Sequence, residues 1–377
     1  MKLYYNEPKH KSIFKIYAIY FICMVSFCGI RIASAFGFGV DGVVGDVVFS
    51  IMVQVVTLFV LPLLLFCFWF KSKPKRLFVD CNFEKTNIKV ILISLAIGVL
   101  CFIINIAVSS LFNGILSFTG YKSPFSSGEK DFSNLNFVLD LITVCVLPAF
   151  CEEFIHRGVL LQGIKHAGFK KAIVISSLLF GLIHFNVNQF FYAFVVGLIM
   201  GFVSVVSKNI IPAMIIHFTN NAISTYINYA TARNWFLGGF FEWLQELIFT
   251  SNVIWVFIVS AVVMLIVIVL LCLLVYVLYR QSILRKVHKA INKVYKTKGS
   301  LTSNKPIVVE EDRVIRELLE NNTLLNLNYE EMKSPIDIVM PKEKTRYVVA
   351  LKDRIFLWGA VTLSGLITFF SYIWGLF

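Results

Sequence analysis

Charge is what this chain has least of. Asp, Glu, Lys and Arg make up 15% of its 377 residues, against about 25% in soluble domains, while 58% are hydrophobic. Polar groups that sparse cannot cover a folded surface in water. A soluble globular domain is therefore excluded, and an integral membrane protein is implied. The eight cysteines contain no Cys-x-x-Cys pair and mostly lie inside apolar runs (Cys23, Cys101 and Cys145, for example). That speaks against a zinc site of paired cysteines and against a disulfide framework, and leaves small buried hydrophobes as the expected role. Acid is scarcer than base, 22 residues against 35, for a net charge of +13. Because the basic residues flank apolar runs, the excess marks cytoplasmic loops and contact with membrane lipid; no nucleic-acid partner is expected.

The apolar runs predict an all-α, polytopic membrane helical bundle. At roughly 20 residues per span they give about eight to nine transmembrane spans, with a cytoplasmic polar insertion before the last. Five regions follow from this pattern: N-terminal transmembrane helices and loops over 1–136, a membrane core over 137–229, an aromatic interfacial loop and a transmembrane helix over 230–279, a basic cytoplasmic region over 280–354, and a last span over 355–377. Ala33-Ser34-Ala35 resembles a signal-peptidase site. The apolar stretch before it is longer than a signal peptide's h-region, so a retained anchor is expected. Lys71, Lys73, Lys75 and Arg76, then Lys165, Lys170 and Lys171, then Lys208, all fall on one side of the membrane if the N-terminus starts in the cytoplasm. The expected location is the cell membrane, multi-pass.

Against this background Glu152-Glu153-Phe154-Ile155-His156-Arg157 stands out. A charge at the bilayer centre costs roughly 2.5–3.5 kcal/mol on insertion scales, so intramembrane ionisable groups are read first as functional. Glu153 and Arg157 are four apart, which places them on one helix face as a mutually neutralising pair. Glu152 has His156 as its i+4 neighbour, which is no permanent cation, so Glu152 is the better candidate base. His184 ends the run Phe180-Gly181-Leu182-Ile183-His184, and His217 and Asn221 share a face of another apolar segment. Gly181, Gly197 and Gly201 permit close helix approach. Every membrane-embedded polar cluster is expected between Glu152 and Asn221. Such a set offers a base, donors for an oxyanion, or metal ligands, with Glu152, His184 and His217 as the candidates for a divalent metal such as zinc.

These residues resemble the CPBP family of intramembrane proteases, also called the Abi family, which includes the CAAX-processing and bacteriocin-processing enzymes. Glu152, Glu153 and Arg157 fit its EExxxR motif, Phe180 and His184 its FxxxH motif, and His217 and Asn221 its HxxxN motif. The resemblance covers roughly 137–229. It implies that Glu152 activates the attacking water, that His184 orients it or shares the proton, and that His217 and Asn221 stabilise the oxyanion. Glu153 and Arg157, with Phe180, support the site. The implied activity is an endopeptidase acting on a membrane-associated peptide or protein near the cytoplasmic leaflet, a prenylated CAAX tail being one candidate. Whether a metal takes part stays open, since the chain lacks the HExxH of zincins. It also lacks a rhomboid-like GxSG and a GxGD aspartate.

Three other readings stand beside the protease. One is a non-catalytic scaffold or bacteriocin-immunity protein that retains the motifs. Another is a transporter using the polar cluster as a proton relay, against which counts the absence of an evident internal repeat. The third is a di-iron bundle, for which Glu153-x-x-His156 has the right spacing but no second intramembrane copy.

Overall fold

The computed structural model describes residues 9–36, 42–122, 131–165, 168–250, 253–297 and 354–376. Most of the basic region 280–354 lies outside them. Among the described residues there is no strand; the chain is a bundle of helices. Its elements are α1 (Lys9–Ala35), α2 (Gly42–Ser50), α3 (Leu61–Trp69), α4 (Pro74–Asp80), α5 (Ile88–Ser117), α6 (Asn134–Asp140), α7 (Leu147–Glu153), α8 (Gln162–Ile164), α9 (Phe169–Leu182), α10 (Val187–Ser207), α11 (Ile211–Arg233), α12 (Gly238–Thr250), α13 (Val253–Thr297) and α14 (Ile355–Trp374).

Among the described residues six helices are long and apolar enough to cross a membrane: Ile13–Ser34, Gly45–Trp69, Ile88–Ser117, Val187–Ser207, Ile258–Ser282 and Ile355–Trp374. This is fewer than the eight to nine expected, for a local reason. α11 carries His217 and the amides Asn220, Asn221 and Asn228, which lower its hydropathy. In addition α9, with 14 residues, reaches only ~21 Å at 1.5 Å per residue. The outward faces of the six spans are apolar, as in Val262, Leu265, Ile266 and Leu273 on α13, which suits lipid contact. The aromatic stretch expected as an interfacial loop folds in part into α12, and α13 runs beyond its apolar span to Thr297.

Two of these rods are not α-helical throughout. The backbone widens to i→i+5 hydrogen bonding at Ile51–Val60, between α2 and α3, and at Leu141–Val146 and Phe154–Leu161, on either side of α7. Flanking residues Ser50, Leu61, Asp140 and Leu147 keep right-handed helical angles, so each rod stays continuous. The first two wide stretches run into a proline, Pro62 and Pro148, which has no N–H to give the carbonyl four residues back. π-type widening is rare and gathers at functional sites. These two rods pack on each other where they widen.

The two ends of the bundle differ in charge. At one end the Lys15 ammonium donates to the Trp69 carbonyl, and Asn209 bridges both backbone groups of Glu84. Cys81 packs on Gly158. These contacts gather Lys15, the 71–76 cluster, Lys165 and Lys208 at that end. At the other end the Tyr229 hydroxyl donates to Asp140 at 2.9 Å, with Phe137 and Trp235 packed around it, and Lys122 N–H meets the Gly375 carbonyl.

Candidate active site

Glu152 and Glu153 end α7 and point into different surroundings. The Glu153 side chain is fully buried, and one of its oxygens, Oε1, takes two donors: Arg157 Nη1 at 2.8 Å and His217 Nδ1 at 3.0 Å. Arg157 Nη2 donates onward to the Gly197 carbonyl at 3.0 Å. A Cβ on Gly197 would stand 3.2 Å from the Phe180 ring and 3.3 Å from Arg157 Nη2, so α10 needs glycine there for its backbone to reach the guanidinium. The i,i+4 pair expected from spacing is therefore present, and it does one thing more: it holds the histidine of α11.

Phe180 lies at the centre of the group. Its ring packs edge-to-face with His156, His184 and His217 at centroid distances of 5.3, 5.4 and 5.5 Å. The Arg157 guanidinium sits over the ring at 4.3 Å, a cation–π contact strengthened by the dry surroundings. One aromatic side chain thus sets the mutual spacing of three imidazoles and one cation.

The hydrogen bonds fix what each imidazole can offer. His184 Nδ1 is 3.0 Å from the Phe180 carbonyl. A carbonyl only accepts, so Nδ1 carries the proton, and in the neutral ring Nε2 presents a lone pair. His217 is held in the same sense by the Glu153 carboxylate. His156 differs. Nδ1 donates to the Glu152 carbonyl at 2.7 Å and Nε2 accepts from the Tyr20 hydroxyl at 3.0 Å. Both of its nitrogens are used inside the protein, which makes it a neutral structural residue that ties α1 to the backbone of Glu152.

Glu152 is 7% exposed and faces a cavity of about 380 Å³. His184, His217 and Asn221 line the same cavity. The four residues singled out for chemistry are thus brought together from three helical segments. Glu152 Oε1 accepts from Gln54 Nε2 at 3.3 Å, while Oε2 makes no hydrogen bond to the protein. Gln54 corrects the expectation that all intramembrane polar groups lie between Glu152 and Asn221, as does Asn105 of α5. Asn105 donates to Asn220 (3.4 Å), Asn220 donates to Asn221 (3.0 Å), and Asn221 donates to the Val144 carbonyl (2.9 Å). Gln54 had a legible signal: it is a lone amide midway along an apolar span. Asn105 and Tyr20 gave none that separates them from ordinary interhelical polar contacts.

Asn221 therefore has a structural task beside any chemical one. Pro148 cannot donate to the Val144 carbonyl, and the Asn221 amide does so instead. Asn221→Leu is expected to cost about 1–3 kcal/mol, the penalty for a carbonyl within the span left without a donor. In a Pro148→Ala background, where residue 148 regains an N–H, the same change should cost less than half as much. Thermal unfolding of the four proteins in detergent measures the coupling; equal losses in both backgrounds would mean the amide does not replace the missing donor.

Among the described residues, no three His, Cys, Asp or Glu side chains come together as a metal-binding group, and this includes Glu152, His184 and His217. The chemistry below is derived from the protein's own groups.

Residues 134–223 match the family model of Type II CAAX prenyl endopeptidase Rce1-like proteins. That stretch is similar to the CAAX-protease family. No curated protein and no solved structure matches the chain. The match takes in all three motifs, from Glu152 to Asn221, and supports a CAAX-type membrane protease in general terms. Tyr20, Gln54 and Asn105, which hold the site from outside, all precede the CAAX-protease stretch.

Proposed function

We propose that the protein is an intramembrane endopeptidase in which Glu152 is the general base. The observation that carries this reading is the convergence of Glu152, His184, His217 and Asn221 on one cavity. A water between Glu152 and His184 would lose a proton to Glu152 Oε2, and the lone pair on His184 Nε2 would take its second hydrogen and aim it. The water oxygen bonds to the scissile carbonyl carbon, and the C=O electron pair moves onto oxygen. His217 can serve that oxyanion only as the imidazolium, because its Nδ1–H is already given to Glu153 and Nε2 must also carry hydrogen to donate. The second amide hydrogen of Asn221 is the other donor. Collapse of the intermediate breaks the C–N bond, and the amine leaves with the proton held by Glu152. Charge is then balanced: two carboxylates face Arg157 and one imidazolium.

The basic clusters gathered at one end of the bundle support a cytoplasmic N-terminus. The test of the reading is comparative peptidomics of membranes from cells expressing the wild type or Glu152→Gln. A membrane-proximal product made by wild-type membranes and absent from the variant is expected, and 1,10-phenanthroline should leave its rate within twofold. Identical peptidomes would leave a binding protein as the better account; abolition by the chelator, reversed by zinc, would place a metal in the reaction.

A further inference from the structure

The cavity is one-sided. Its polar wall climbs from Glu152 to Asp140 along one rod and from His217 to Asn228 along α11, each about 11–12 residues, or ~16–18 Å at 1.5 Å per residue. That is roughly half the thickness of a bilayer's hydrocarbon core. Both climbs lead to the end where Tyr229 meets Asp140. No lining residue comes from the opposite, lysine-rich end, where Lys15, Lys165 and Lys208 lie. Below the site the interior is closed by Phe180, Met200 and the Glu153–Arg157 pair, all buried. Asn228, at the far end of the wall, is exposed.

The wall also carries a chemical preference. Above the site it offers amides and hydroxyls, such as Asn105, Asn220, Ser224 and Asn228, which can pair with the N–H and C=O groups of an extended peptide. It contains no lysine or arginine, and its carboxylates are Glu152 and Asp140. The basic end belongs in the cytoplasm by charge.

We infer that the cavity opens to the non-cytoplasmic side, and that it takes a segment of an exported or membrane-anchored peptide chain. The expectation of cleavage near the cytoplasmic leaflet is thereby revised. The substrate part rests on the endopeptidase reading; the sidedness does not.

Single cysteines test the sidedness without any catalysis. The full chain carrying Asn228→Cys, Ser224→Cys or Lys208→Cys is expressed, and intact cells are treated with a membrane-impermeant maleimide, with the wild type as the background. Asn228→Cys is expected to label at least tenfold more than Lys208→Cys, and Ser224→Cys to follow Asn228→Cys. Permeabilised cells should then label Lys208→Cys as well. Labelling of Asn228→Cys and Ser224→Cys only after permeabilisation would put the opening on the cytoplasmic side and overturn the inference. Absence of label at both under either condition would show a closed cavity, and would overturn it too. The substrate part is read from products: in cells making the wild type, cleavage fragments should accumulate in the medium and disappear with Glu152→Gln. Fragments confined to the cytosol would refute the substrate class while leaving the protease reading in place.

Discussion

Replacing Glu152 by glutamine is expected to slow peptide hydrolysis by about 10²–10⁴-fold, the range a positioned general base contributes, with KM changed no more than a few-fold. Glutamine keeps the shape and can still meet the Gln54 amide, which sits 3.3 Å from Oε1. What it loses is the lone pair at the unbonded Oε2 that would remove the proton from water. Because the backbone carbonyl of residue 152 still accepts from His156, the α1 contact and the fold should persist, and the melting temperature of the variant should match the wild type. Steady-state kinetics on the product found by peptidomics, alongside thermal unfolding, separate the outcomes. A variant that cleaves at a tenth of the wild-type rate or better would remove Glu152 as the base. A variant that unfolds would make the residue structural.

The second large effect belongs to the neighbouring pair. Arg157→Met takes from Glu153, buried at 0% exposure, its one permanent cation, and breaking such a pair from one side costs about 3–5 kcal/mol. Changing both partners together, Glu153→Gln with Arg157→Met, removes both charges. This should recover more than half of the lost stability, since a buried pair replaced by neutral groups is often close to neutral overall. Activity should not recover with it. His217 takes its orientation from Glu153 Oε1, which accepts its Nδ1–H at 3.0 Å, and a neutral amide cannot balance an imidazolium. Chemical denaturation and turnover measured on the same three proteins would show stability and catalysis moving apart. If the double variant is no more stable than Arg157→Met, the pair is not the stabilising unit described here.

What could be read from the sequence was what a single helix encodes. Glu153 with Arg157, Phe180 with His184, and His217 with Asn221 are each four residues apart, and the helical repeat alone puts each pair on one face. The distinction between the two glutamates also followed from spacing. The rest depends on which helices meet. Gln54 reaches Glu152 across 98 residues, Asn220 meets Asn105 across 115, and Tyr20 meets His156 across 136; no local pattern predicts such partners. The span count drifted for a related reason. The amides and histidine of α11 make that helix look less like a membrane span, and α9 is too short to be one. Nor does the acidic motif announce that its neighbour Asn221 must also mend a backbone interrupted by Pro148.

The wide turns at Leu141–Val146 have a consequence for how such a chain can vary. A π-type stretch holds one residue more than an α-helix would use over the same length. Losing one residue there would tighten the turn to α geometry over the same length, so that Asn134–Asp140 would keep its facing against α7 while Glu152 and everything after it kept their positions. The joint can thus absorb a one-residue change in length without moving either the cavity's outer wall or the reacting carboxylate.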